Sequence, residues 1–145
     1  MFGAHFGGGM VLQSLVGLPA FLVYFCTGIV AVMLYLFVYL RVTAHDEFAL
    51  IRKDCAPAAI ALGLSLLGFV LPVASAIVHS ANVVDCLIWA IIALIVQIAV
   101  YFILRIPVPQ LSDRIANGEM APALWLGLAS LAAGVLNAAS MVYSP

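Results

Sequence analysis

Four stretches of this chain run on for the length a helix needs to cross a bilayer, and none holds an acid or base inside it, His79 and Asp85 standing at boundaries. They are Pro19–Leu40, Pro57–His79, Asp85–Leu104 and Ala121–Val142. At 1.5 Å of rise per residue each spans about 30 Å of hydrocarbon. With 67% of residues apolar and only 8% charged, no soluble core has a surface that this composition suits. Lipid offers backbone amides no partner, so segments this apolar must be helical. The expected fold is all-α: a polytopic membrane protein with four transmembrane helices. Met10–Leu40 is too long for one straight span. Gly17 and Pro19 are expected to break it, leaving residues 1–18 as a leader with Met10–Leu18 at the outer interface. The missing cationic n-region argues against a cleaved signal peptide.

All five cationic side chains, Arg41, Arg52, Lys53, Arg105 and Arg114, fall within residues 41–53 and 105–114. Lys and Arg near spans resist translocation. The expected threading therefore puts both segments in the cytoplasm, with both termini and the loop near Ser80–Val84 on the periplasmic side. Aromatic residues fit that threading as two belts, Tyr24, Trp89 and Tyr143 at one interface and Tyr35, Tyr39, Tyr101 and Trp125 at the other. The lipid bilayer is the first partner implied. A formal net charge of −1 gives no reason to propose nucleic acid.

The second and fourth spans are versions of one another. Laying Ala56–Ser75 on Ala121–Ser140 without gaps gives nine identities in twenty positions, including Ala56-Pro57-Ala58 with Ala121-Pro122-Ala123 and Ser65-Leu66 with Ser130-Leu131. The chain thus divides into two parallel two-helix repeats, residues 19–79 and 85–142, related by a pseudo-two-fold axis along the membrane normal. Each repeat carries a short interfacial helix between its spans. In the first, Thr43-x-x-Asp46 reads as a capping box, with Phe48 and Ile51 on one face. In the second, Leu111 and Ile115 share a face and Asn117-Gly118 reads as a helix stop. Pro57 and Pro122 suit first helical turns, where a missing N–H costs nothing.

His45-Asp46-Glu47-Phe48, the run Leu67-Gly68-Phe69-Val70-Leu71-Pro72-Val73-Ala74-Ser75-Ala76, Trp89 with Ile92-Ala93-Leu94 and Gln97, and Gly134 with Asn137-Ala138-Ala139 follow in order. Together they resemble the YjfL-type family of bacterial inner-membrane proteins, a domain of unknown function built from tandem two-helix units. The likeness runs from about Phe21 to Val142. It implies a bacterial inner-membrane protein within a multi-protein membrane system, and supplies no reaction and no catalytic residue.

The residues that carry polar chemistry are few. Ser65, Gly68, Pro72 and Ser75 are spaced i, i+3, i+7, i+10 on one helical face, and Ser130, Ala133, Asn137 and Ser140 repeat it. Pro72 cannot donate to the Gly68 carbonyl, which leaves an acceptor at the depth of the Asn137 amide. This stripe is either a polar path or, more blandly, a packing face whose small residues let helices approach. Gly127, Ser130, Gly134 and Ala138 supply the small-residue spacing that packing expects. Gln97, on a face with Trp89, Ala93 and Tyr101, needs a partner within protein. Thr27 is expected to bond back to its own helix.

His79 and Asp85 flank the loop between repeats and form a candidate pH-responsive pair. His45, Asp46 and Glu47 form an interfacial cluster whose default role is helix capping and headgroup contact, since consecutive helical residues make a poor metal cage. Cys26, Cys55 and Cys86 lie at different depths with no CxxC spacing, so neither zinc nor a redox pair is indicated. Gly7-Gly8-Gly9 lacks the flanking strand and Lys of a phosphate loop. Catalysis needs a positioned acid, base, nucleophile or metal, and proton-coupled transport favours intramembrane carboxylates; neither is legible here. The reading is a non-catalytic subunit, without cofactor or metal, that forms a homo-oligomer or joins other membrane subunits. The alternative is a small oligomeric channel or transporter with a polar path near Pro72 and Asn137 or near Gln97.

Overall fold

A computed structural model describes residues 4–43 and 45–141, with side chains from residue 7 onward. Val142, the expected end of the fourth span, and Tyr143, expected in an aromatic belt, lie outside the described residues. Seven helices follow in order: α1 (Ala4–Val16), α2 (Leu18–Val42), α3 (Glu47–Arg52), α4 (Ala56–His79), α5 (Val83–Leu104), α6 (Leu111–Ala116) and α7 (Met120–Ser140). The four long helices match the expected spans to within two residues at each described end, and four are long and apolar enough to cross a membrane. The agreement is physical. Charge is excluded from hydrocarbon so strongly that Arg41, Asp54, Asp85, Arg105 and Glu119 mark the neighbouring helix edges, whereas the start of α2 is marked by Gly17 and Pro19.

The break expected at Gly17 is a single turn between two helices rather than an end. Gly17 keeps helical angles, φ −77 and ψ −11, because Pro19 sits in the first turn of α2, where its absent N–H is not missed. Pro57 takes the same kind of place in α4. At the close of α6, Gly118 adopts φ +87 and donates its N–H to the Ile115 carbonyl, the stop that Asn117-Gly118 announced.

The core pair is α4 against α7. Helix α5 fills the groove along both, and α2 lies against α4 and α5. The ends of α2 and α5, the short helices α3 and α6 and the starts of α4 and α7 gather at one end of the bundle, with all five cations. We call this the basic end. There Tyr39 meets Tyr101 edge-on at 6.0 Å and Trp125 donates its Nε1–H to the Leu104 carbonyl at 3.1 Å.

The expected aromatic belt at this end is corrected in three members. Tyr35, Tyr39 and Tyr101 are buried in the bundle, and only Trp125 is exposed. Depth along a helix is readable from sequence, but direction around it is not, and these three rings face inward. Tyr35 stacks on Phe69 at 4.5 Å and 8°. Helix α2 buries only Ala31, Tyr35 and Tyr39, all toward the basic end, while Phe21, Leu22, Phe25, Ile29 and Val30 stay exposed at the far end.

Candidate functional site

The polar centre of the bundle is Gln97, only 2% exposed, on the α5 stripe of Cys86, Ala90, Ala93 and Tyr101. Trp89, expected on that face, is turned outward. The Gln97 Nε2 amide donates to the Ser65 carbonyl at 3.4 Å and the Ser130 carbonyl at 3.2 Å. These two serines are the positions that the twenty-residue match sets opposite each other. One side chain thus bonds the same site on both copies, spending both N–H groups on carbonyls already within helices. The Tyr35 hydroxyl donates to the Ser65 carbonyl at 3.4 Å.

Two glycines make room for this. A Cβ on Gly68 would stand 2.7 Å from the Gln97 Nε2 and would collide with the Ser130 carbonyl. A Cβ on Gly134 would collide with the Gly68 carbonyl, and one on Gly127 would sit 2.8 Å from the Leu64 Cδ1. The Gly68 acceptor freed by Pro72 therefore faces the Gly134 backbone, not the Asn137 amide. The Asn137 Nδ2 is buried with no hydrogen-bond partner among the described residues, as are the Gln97 Oε1 and the Ser65 Oγ. Replacing Gln97 by leucine is expected to cost about 1 kcal/mol, the range for interhelical hydrogen bonds in membranes. Reversible unfolding in mixed micelles measures it.

The far-end stripe separates. Ser65 and Pro72 are buried, and Ser75 donates across to the Ala138 carbonyl at 3.1 Å. Ser140 instead turns out and donates to the Leu136 carbonyl of its own helix at 2.7 Å. Thr27 bonds back to the Val23 carbonyl, as expected. The proposed pairing of His79 with Asp85 does not form, because each is taken up at its own helix end. The His79 Nδ1 lies 2.9 Å from the Ser75 carbonyl, while Asp85 accepts from the Ala81 N–H at 3.0 Å. Asn82, unnoticed in the sequence, caps α5 by accepting from the Asp85 N–H at 2.9 Å.

At the basic end the cluster His45, Asp46 and Glu47 divides three ways. Asp46 itself is the N-cap of α3, its Oδ1 accepting from the Ala49 N–H at 3.2 Å. The expected capping box is absent because Asp46, not Thr43, is the N-cap of α3, and the Thr43 hydroxyl donates to the Tyr39 carbonyl at 2.9 Å. The His45 Nε2 meets the Asp113 Oδ1 at 2.6 Å, tying the approach of α3 to α6. Sequence reasoning missed this tie, since nothing local relates residues 68 positions apart. Asp113→Asn is expected to lower stability by under about 1 kcal/mol, because both side chains are partly exposed. Chemical denaturation at low and high salt checks it.

Glu47 is the surprise. Only 4% of it is exposed, so it touches no headgroup, and its Oε2 has no partner. Phe48, expected to share a face with Ile51, is 40% exposed, while Leu50 and Ile51 pack on the core. Burial holds the Glu47 carboxyl above the usual carboxylate range. Beside α3 and α6 the Tyr101 and Ser112 hydroxyls bond to each other. The three cysteines are free, and among the described residues no three His, Cys, Asp or Glu side chains gather as a metal site. At the centre the Gln97 donors are aimed at the Ser65 and Ser130 carbonyls, while the Gln97 Oε1, Ser65 Oγ and Asn137 Nδ2 are left without a partner among the described residues.

Residues 10–141 match the family model described as Domain of Unknown Function (DUF350). The chain is 37% identical over 133 residues to the UPF0719 inner membrane protein YjfL of Escherichia coli strain K12, covering 92% of this chain and 98% of that relative. The protein of the same name from Escherichia coli O157:H7 aligns equally well, at 37% over 133 residues. No solved structure matches. Four apolar helices and these relatives together make this a multi-pass inner-membrane protein, and the chain belongs to the DUF350 family.

Proposed function

We propose that this protein is a non-catalytic integral subunit that assembles with itself or with other membrane subunits as a platform for a larger envelope complex. The observation that carries the reading is Gln97. Its amide, the strongest polar group at mid-span, is enclosed by Gly68, Ser65 and Ser130, with both N–H groups spent. An amide held this way ties helices together rather than facing a hydrated conduit. Much apolar surface remains for lateral assembly, because α1 and the far half of α2 bury little within the protomer. The basic end faces the cytoplasm in this proposal, with both termini periplasmic, since all five cations lie there.

Mass measurement in native nanodiscs, cut from the membrane without detergent, tests the assembly. The expected result is a complex heavier than one 15.3 kDa chain. A lone protomer with no companion overturns the platform. The second reading, a small oligomeric channel or transporter, draws on the partnerless Asn137 Nδ2 and Gln97 Oε1. Liposome flux that stays unchanged in both Asn137→Leu and Gln97→Leu would remove those side chains as determinants. Labelling of intact cells from the medium that reaches Arg52 or Arg114 inverts the threading.

A further inference from the structure

Glu47 is the one acidic side chain among the described residues that is fully buried. Its neighbours decide what form it takes. Thr43, itself buried, is a polar neighbour of its carboxyl, and no hydrogen bond joins the two among the described residues. A hydroxyl has one hydrogen, and that of Thr43 is given to the Tyr39 carbonyl at 2.9 Å. Thr43 therefore offers Glu47 only lone pairs. A carboxylate also brings only lone pairs, whereas a carboxylic acid can donate. The one cation among the described residues that favours a charge on Glu47 is His45. His45 is turned to Asp113 at 2.6 Å, and no Lys or Arg forms an ion pair with Glu47. Helix α4, against which α3 packs, has no titratable side chain before His79 at its far end. Asp46, the adjoining carboxylate, works against a negative charge on Glu47.

We propose that Glu47 is a proton-binding site, in which the buried carboxyl, its Oε2 without a partner among the described residues, keeps α3 docked on the basic end while it holds its proton, and loss of that proton to water releases α3. The proposal goes beyond the platform reading and stands or falls separately. Burial lifts the carboxyl above its unfolded value, and the sign follows from that. Docking is fully stabilised at pH below the ordinary Glu range and is lost as pH rises through the lifted value. Release would free Arg52 and Lys53, which end α3, to move with it.

The test uses the full chain in lipid nanodiscs. Infrared titration of the native protein should show a protonated-carboxyl band that persists to higher pH than the other acids and is absent in Glu47→Gln. Hydrogen exchange at residues 49–53, corrected for intrinsic rates, should lose protection with rising pH across the same titration. The loss approaches about tenfold per pH unit for one proton. In Glu47→Gln, whose amide carries no charge to titrate, protection should stay flat with pH. Side-chain carboxyl bands that all vanish together in the ordinary range overturn the proposal on the native protein alone, whatever the variant does. A Glu47→Gln protein with the native pH profile at residues 49–53 overturns the release.

Discussion

Gly134→Ala is expected to unseat α4 from α7 and cost about 3 kcal/mol or more, the upper range for overpacking. The added methyl would collide with the Gly68 carbonyl, carbon and Cα, which are all backbone. A flexible side chain can swing away, but a helix backbone moves only as a helix. Separating the pair also stretches both Gln97 bonds, because Ser65 and Ser130 lie on the two helices being parted. Gly63→Ala is the control. Nothing lies within 4 Å of its would-be Cβ, so the substitution should be neutral or gain about 0.5–1 kcal/mol from backbone entropy. Reversible unfolding in mixed micelles, followed by circular dichroism, compares them. Equal stability of the two variants would refute the glycine contact.

Phe69→Ala is expected to cost about 2–3 kcal/mol. Phe69 is 1% exposed and stacks on Tyr35, itself 1% exposed, so no side chain is free to fill the space. In water such a truncation loses transfer free energy and also leaves a cavity. In lipid the unfolded helices already sit in an apolar solvent, so only packing and the cavity remain, and the lower part of the range applies. The loss should not add to that of Tyr35→Ala, since each ring is the other's packing surface. A double-mutant cycle measures the shortfall, and strict additivity would show the stack to be idle.

What the sequence conveyed well was position along the membrane normal. Charge flanks the spans at Arg41, Asp54, Asp85, Arg105 and Glu119. The penalty for charge in hydrocarbon is steep enough to make those boundaries legible to within two residues, while the start of the first span is read from Gly17 and Pro19. What it conveyed poorly was direction around each helix axis. Tyr35, Tyr39 and Tyr101 looked like belt residues because they lie near the span ends, yet all three face the core. Trp89 was grouped with Gln97 on spacing alone and turned out to face away. In α3, six residues are too few to set a phase, so the shared face of Phe48 and Ile51 does not show that Glu47 is the buried residue. No propensity favours a buried carboxyl, and only the packing of α3 onto the ends of α2 and α4 puts it there. The small-residue spacing through Gly127, Ser130 and Gly134 did carry its signal, since close approach leaves a compositional trace. Contacts between distant segments, His45 with Asp113 above all, leave no such trace in one sequence.

The grip on α2 at Ala31, Tyr35 and Tyr39 acts as a fulcrum. Leu18 stands 17 residues up the rod from Tyr35, about 26 Å at helical rise. Each degree of lean at the fulcrum therefore sweeps Leu18 sideways by about 0.5 Å. A thinner or thicker bilayer changes helix lean at modest cost. Such a lean would move the far end of α2 most, where Tyr24 and the approach of Gly28 to Ile77 still meet the core.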